Sequence, residues 1–310
     1  MSTTAVVFPG QGSQSVGMLG DLSKKYSLIK ALFDSVSSRL SYDLWALVQH
    51  GPETVLNQTE NTQAAMLVAD VAVYKLLEQR GLPQPLMMAG HSLGEYAALV
   101  CAGALSLADA AVLVQTRGQL MQKTVPLGQG AMAAIVGLSD EAVQTLCLDV
   151  TNMTHQVSPA NYNAVGQVVI AGHTDAVLAA MALADERGAR MAMMIPVSVP
   201  CHCLLLKEAS HQFADHLQQV DFKVPEIPVI SNVDLSIYQS VDQIRGLLSE
   251  QLYRPVRWVE TIQLMKNQGV TRVIESGPAK VLSGLMKRID KSIQGISVND
   301  EASLDLALTE

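Results

Sequence analysis

The stretch Gly90-His91-Ser92-Leu93-Gly94-Glu95-Tyr96-Ala97-Ala98-Leu99, GHSLGEYAAL, sets one serine between two glycines at the seam of two apolar segments. Upstream, Leu86 to Ala89 reads as a short buried strand. Downstream, Tyr96 to Cys101 reads as a buried helix that ends near Gly103. Glycines two before and two after the serine remove the Cβ atoms that would clash as the turn tightens. Glycine and serine also punctuate ordinary βα loops. The strand before and the helix after favour a nucleophile elbow, which lifts the hydroxyl from the backbone and aims it at a cleft. The start of the helix adds free N–H groups beside Ser92, where negative charge is stabilised.

On either side of the elbow the chain alternates strand and helix. Thr4 to Phe8 reads as a strand, followed by the turn PGQGSQ and a helical region from Leu19 to His50. Asn61 to Gln79 reads as a buried helix stopped by Gly81 and Pro83. Such alternation predicts a parallel sheet covered by helices. The middle changes character. Gly130 to Gly137 reads as a strand, and Ser139-Asp140-Glu141 opens a helix to about Leu148. Gln156 to Ala160 and Gln167 to Ala171 read as strands joined by a turn, Asn161 to Gly166. Thr174 opens a helix to about Arg187, and Arg190 to Val197 closes the series as a strand. The order β-α-β-β-α-β is ferredoxin-like. The expected architecture is α/β: a large α/β-hydrolase-like domain with a parallel sheet, residues 1–126 and 199–310, interrupted by a ferredoxin-like small domain, 127–198. The α/β pattern resumes with helix Leu204 to Gln218, strand Val229-Ile230, helix Val241 to Gln251 and strand Arg272 to Glu275.

Bulk composition bounds the function. With 310 residues, 49% hydrophobic and 16% charged, the chain can bury a sizeable core. A net charge of −8 argues against a nucleic-acid surface. Met1-Ser2-Thr3-Thr4 has no basic residue, so no targeting signal is expected. The apolar run Tyr96 to Ala108 is too short to cross a membrane. The cysteines, Cys101, Cys147, Cys201 and Cys203, lack zinc spacing, so no metal is expected. Free thiols fit a reduced, cytoplasmic protein.

A serine hydroxyl needs a base and an oxyanion site. Of the seven histidines, His91 is adjacent to Ser92, where neighbouring side chains point apart, and His211 and His216 lie on a polar helix. His202 follows Val197-Ser198-Val199-Pro200, where the chain crosses between the domains, and clefts between domains concentrate sites. It is the candidate base, against the alternative of a structural histidine. Oxyanion donors are available from Leu93 N–H and from the turn Gly10 to Gln14, whose glycines allow close backbone approach. That turn has neither phosphate-loop nor dinucleotide spacing. Arg117, in LVQTRGQLM, puts a guanidinium on a largely core-facing helix. It needs an anionic partner, either an internal acid or a substrate carboxylate.

Together these segments resemble the malonyl-CoA:acyl-carrier-protein transacylase family, the acyltransferases of bacterial fatty-acid synthesis. FPGQGSQ (Phe8 to Gln14), GHSLGEYAAL, Arg117-Gly118, GAMAAI, GQVVIAG, VSVPCH, QLYRPVRW (Gln251 to Trp258) and ESGPAKVLSGL (Glu275 to Leu285) carry the likeness nearly end to end. The resemblance implies Ser92 as the acylated nucleophile and His202 as its base. It implies Gln11 and Leu93 as oxyanion donors and Arg117 as the group that binds the malonyl carboxylate. Gln251 would orient His202 through its backbone carbonyl, in place of a triad carboxylate that the sequence does not supply. Asn163 would lie near the substrate. Cys201, where relatives more often carry Ser or Phe, borders the implied acyl pocket; Val165 replaces a frequent proline.

The implied reaction moves malonyl from malonyl-CoA to Ser92 and then to the phosphopantetheine thiol of acyl carrier protein. No cofactor is implied, and the protein is expected as a cytoplasmic monomer without nucleic-acid or membrane partners. A serine esterase or thioesterase, or a non-catalytic acyl-CoA-binding subunit, is the alternative. The carrier is acidic, as the family implies. Lys280, Lys287, Arg288 and Lys291 fall near one side of a helix, either as a basic docking face for the carrier or as an ordinary solvated charged face.

Overall fold

A computed structural model describes residues 3–197 and 199–309. Met1, Ser2, Ser198 and Glu310 lie outside the described residues, and with them Ser198 of the expected crossing. Among the described residues nine strands form two sheets. The larger sheet is parallel, in the order β7 (Val229–Ile230), β2 (Met87–Gly90), β1 (Thr4–Phe8), β8 (Arg272–Ser276), β9 (Gln294–Val298). β1 and β2 are almost wholly apolar because helices cover both faces of such a sheet. The Thr59–Gln79 helix is buried nearly all round, so its apolar residues show no single stripe.

The second sheet is antiparallel, in the order β4 (Val157–Ala164), β5 (Gln167–His173), β3 (Gly130–Val136), β6 (Met191–Met194). This is the ferredoxin-like order, with helices Asp140–Val150 and Thr174–Glu186 on one face. Strand alternation divides the residues. Ala131, Ala133 and Ile135 pack under those helices, whereas Met132, Val169 and Ala171 face Cys203 and Cys201 of the returning chain. The helix-free face of the small sheet is therefore turned toward the large unit.

Several expected boundaries move. The turn Asn161 to Gly166 is mostly strand: β4 continues to Ala164 through two register shifts, leaving Val165-Gly166 as the turn. Pairing to β5 and the Tyr162 N–H to Val256 O bond (2.9 Å) hold extended a segment whose asparagines favour turns. Pro159 is tolerated because β4 is an edge strand. Arg190 to Val197 shortens to β6, and Leu204 to Gln218 starts as a 3₁₀ turn before the helix Lys207–Gln218. The helix opens at Thr174 as expected, with His173 as its N-cap, and ends at Glu186. The helix of the proposed basic face spans only Val281–Ile289: Lys280 is its N-cap and Lys291 lies past Asp290, its C-cap. Those four cations are exposed, but only Lys287 and Arg288 share the helix.

Candidate active site

The carboxyl ends of β1 and β2 lie side by side, where parallel sheets place their sites. Phe8 pairs with Gly90, and His91 N–H donates to Phe8 O at 2.9 Å. The turn into helix Gly94–Cys101 is tight enough to force Ser92 to φ 53, the left-handed region that strains a residue with a Cβ. The flanking glycines make this possible. A Cβ on Gly90 would lie 1.8 Å from the carbonyl carbon of Gly94, and one on Gly94 2.0 Å from Phe8 O. Asn232 pins the elbow: its Oδ1 accepts from Ser92 N–H at 2.7 Å and its Nδ2 donates to Gly90 O at 2.7 Å.

His202 stands 2.7 Å from this serine, Nε2 to Oγ. It too has a left-handed backbone, φ 60, and its N–H donates to Leu252 O at 3.0 Å. Its Nδ1 lies 2.7 Å from Gln251 O and 3.2 Å from Arg254 O. Carbonyl oxygens only accept, so Nδ1 carries the ring proton and Nε2 accepts from the Ser92 hydroxyl. Burial, then the positive charge of Arg117 and the proximity of His91, push the imidazole down to about 3, against the two carbonyl bonds. The ring is neutral at physiological pH, with its lone pair on the serine.

Arg117, on helix Leu107–Thr124, is 2% exposed. Its Nη1 donates to Gln63 Oε1 at 2.8 Å and its Nη2 to Gln251 Oε1 at 3.0 Å. Nη2 also reaches Ser92 Oγ at 3.5 Å, and Nε is buried with no partner among the described residues. Its direct partners there are all neutral, so the internal acid the sequence left open does not pair with it. The guanidinium keeps its charge. Nη2 is shared between Gln251 Oε1 and the Ser92 hydroxyl, and Arg117 lines the cavity there, which sets a cation suited to a carboxylate beside that hydroxyl.

Gln11, Ser92, Leu93, Arg117, Asn163 and His202 line a single cavity of about 170 Å³. The Gln11 and Leu93 N–H groups have no acceptor among the described residues. Gly10 brings the Gln11 turn against the elbow, since a Cβ there would lie 2.6 Å from His91 O. Met132, Val169, Ile195 and Val197 supply an apolar wall from the small unit. Asn163 enters from β4, its Oδ1 2.8 Å from His91 Nε2, which keeps His91 turned away from the serine. Cys201 also lines the cavity; burial pushes its thiol up to about 11, against the pull of Arg117, so it stays protonated.

Four polar side chains around the site escaped the sequence reading. Gln63 holds Arg117, and Asn232 holds the elbow. Glu95 accepts from Gln251 Nε2 at 2.6 Å and from Tyr238 OH at 2.5 Å. The signal for Glu95 was in the opening stretch: a carboxylate directly before a run of buried apolar residues. Gln63, similarly, is an amide in an apolar helix.

The acyl transferase domain family matches residues 5–302. Malonyl CoA-acyl carrier protein transacylase of Escherichia coli (strain K12) is 48% identical over 308 residues, covering 99% of each chain. An acyl carrier protein S-malonyltransferase from Vibrio cholerae superposes with a TM-score of 0.96 at 53% identity, over 98% of this chain and 99% of that one. A malonyl-transacylase solved in complex with its type II PKS acyl-carrier protein, PlMCAT:AntF, gives 0.97 at 48% identity over 99% of each. Family match, identity and superposition agree along almost the whole chain, which therefore belongs to the acyl transferase family, among the malonyl CoA-acyl carrier protein transacylases.

Proposed function

We propose that this chain transfers the malonyl group of malonyl-CoA to the phosphopantetheine thiol of acyl carrier protein, in fatty-acid biosynthesis in the cytoplasm. The observation that carries the reading is the meeting of three groups: Ser92 Oγ, His202 Nε2 at 2.7 Å and Arg117 Nη2 at 3.5 Å. A nucleophile, its base and a carboxylate-binding cation thus surround one reacting atom. The names of the relatives, and a related structure holding a carrier protein, support the same substrates.

Ser92 Oγ attacks the thioester carbonyl as its proton passes to His202 Nε2. The oxyanion accepts from Gln11 and Leu93 N–H. Collapse expels coenzyme A, which takes the proton from His202 as a thiol, and leaves malonyl-Ser92. The carrier thiol then attacks, with its proton taken by the same nitrogen, and Ser92 recovers its hydrogen. Gln251 and Arg254 carbonyls steady the imidazolium that forms in each half. The steps need no metal or redox cofactor. No helix among the described residues is long and apolar enough to cross a membrane.

Mass spectrometry after mixing with malonyl-CoA tests the reading. A malonyl adduct on Ser92 that persists in water and leaves on addition of holo carrier protein is expected. Rapid loss to water would indicate a hydrolase, and no adduct would end the proposal.

A further inference from the structure

Glu95 has no part in the steps above, yet it is 1% exposed and stands just behind the site. Its Oε2 accepts from Gln251 Nε2 at 2.6 Å, and Gln251 Oε1 accepts from Arg117 Nη2 at 3.0 Å. The amide therefore bridges a buried carboxyl and a buried guanidinium. The same Nε2 donates to Ser92 O at 2.9 Å, and the Gln251 carbonyl holds His202. Tyr238 OH donates to Glu95 Oε1, and Asn232 N–H reaches Oε2 at 3.4 Å. The titratable and charged groups facing this carboxyl are Arg117, Tyr238 and Tyr96, with His202 beyond Gln251. Burial pushes both phenols up, so they stay neutral, and His202 is neutral as well. Arg117 and Glu95 are the groups left to set the charge of the site.

One cation can balance one carboxylate at low cost in a buried site, but not two. We propose that Glu95 is the resting counter-charge of Arg117, and that the malonyl carboxylate displaces it from this role while Glu95 takes up a proton from solvent. The proposal rests on the malonyl-transfer reading and deepens it: Arg117 selects the acyl group, and Glu95 sets the charge against which it selects. With Glu95 ionised beforehand, the net charge of the buried site is the same before and after binding, since one anion enters and one proton follows. Acetyl brings no charge and calls for no proton.

The balance suits neutral pH. Burial raises the Glu95 carboxyl to about 7, against the hydrogen bonds from Tyr238, Gln251 and Asn232 and the charge of Arg117. Below that value Glu95 is neutral before the substrate arrives. Above it, malonyl must bring a proton with it, so malonyl transfer weakens as pH rises.

The test measures the kcat/KM ratio of malonyl-CoA to acetyl-CoA between pH 6 and 9. Contributions of His202 and of the thiol leaving group are common to both thioesters and cancel. The wild-type ratio should be flat below about pH 7 and fall above it, up to about tenfold per pH unit for one linked proton. Glu95→Gln, neutral at every pH, should flatten the ratio. Tyr238→Phe removes a donor that favours the ionised carboxyl, and should move the fall to higher pH. A purely structural role would lower both thioesters in parallel, with no pH-dependent ratio. A flat wild-type ratio, an unchanged slope in folded Glu95→Gln, or an unmoved midpoint in Tyr238→Phe would each overturn the proposal. Absence of any malonyl adduct on Ser92 would overturn the transfer reading itself, and this proposal with it.

Discussion

Ser92 and His202, 110 residues apart in the chain, meet at 2.7 Å, and both stand at positive φ, 53 and 60. Each is a non-glycine residue in a conformation that costs about 1–3 kcal/mol. The surrounding contacts hold them there: Asn232 on the elbow, Leu252 and Gln251 carbonyls on the histidine. Strain concentrated at two residues that share a hydrogen bond is what a prepared nucleophile requires.

Ser92→Ala is expected to abolish the malonyl adduct and transfer. His202→Ala should lower kcat/KM by about 10²–10⁴, the range for loss of a general base. His91→Ala should lose much less, since its ring nitrogen is engaged with Asn163. Equal losses for the two histidine variants would remove His202 from the role.

Arg117→Ala separates substrate recognition from structure. Loss of a buried carboxylate partner costs roughly 2–5 kcal/mol, so malonyl transfer should drop by tens to thousands of fold. Acetyl transfer should be spared, since acetyl has no carboxylate for Arg117 to hold. Parallel losses for both thioesters in a folded variant would refute the carboxylate-binding role.

The elbow should tolerate no methyl group. Gly94→Ala would press a Cβ to 2.0 Å from Phe8 O, with a stability loss of about 3 kcal/mol and loss of Ser92 acylation. Gly284→Ala, on a helix where nothing lies within 4 Å of the new atom, should be neutral or slightly stabilising. Thermal melts and adduct formation for the pair read out both effects, and a Gly94→Ala protein that melts and acylates like wild type would contradict this geometry.

Asp70 is a second buried carboxyl, on the Thr59–Gln79 helix, with neither oxygen hydrogen-bonded among the described residues. Burial, then the nearby Glu275, raises its carboxyl well above the ordinary 3.8. In the unfolded chain it ionises near 3.8, so folding loses stability as pH rises past that value. Asp70→Asn should therefore raise Tm by several degrees at pH 8, with the gain shrinking toward pH 4. A gain independent of pH would show that the charge is not the cause.

Charge reversal at Lys287 and Arg288 should raise the carrier-protein KM and weaken its salt dependence. The malonyl-CoA half-reaction should not change, because both side chains are exposed and outside the cavity lining. An unaltered carrier KM would remove this face from docking.

The sequence by itself determined what local chemistry controls. Glycines at 90 and 94, two before and two after Ser92 and between an apolar strand and an apolar helix, mark a tight strand-to-helix elbow from the sequence alone. The β-α-β-β-α-β order of the small unit was legible from periodicity and caps, and its ferredoxin-like strand order is what the structure has. Tertiary structure decided the rest. Asn161 and Asn163 favour turns locally, but Asn161 pairs with Val169 of β5 and Asn163 sits in the bulge between the paired Tyr162 and Ala164, and both reach the cavity. β9 is an edge strand with a glycine and a weak alternation, and it becomes a strand because β8 offers it a hydrogen-bonding partner. The tautomer of His202 follows from carbonyls at 251 and 254, and the partners of Arg117 come from positions 63 and 251. No local pattern encodes such pairings. They arise because burial leaves each polar group only those partners the packed helices and strands bring within about 3 Å.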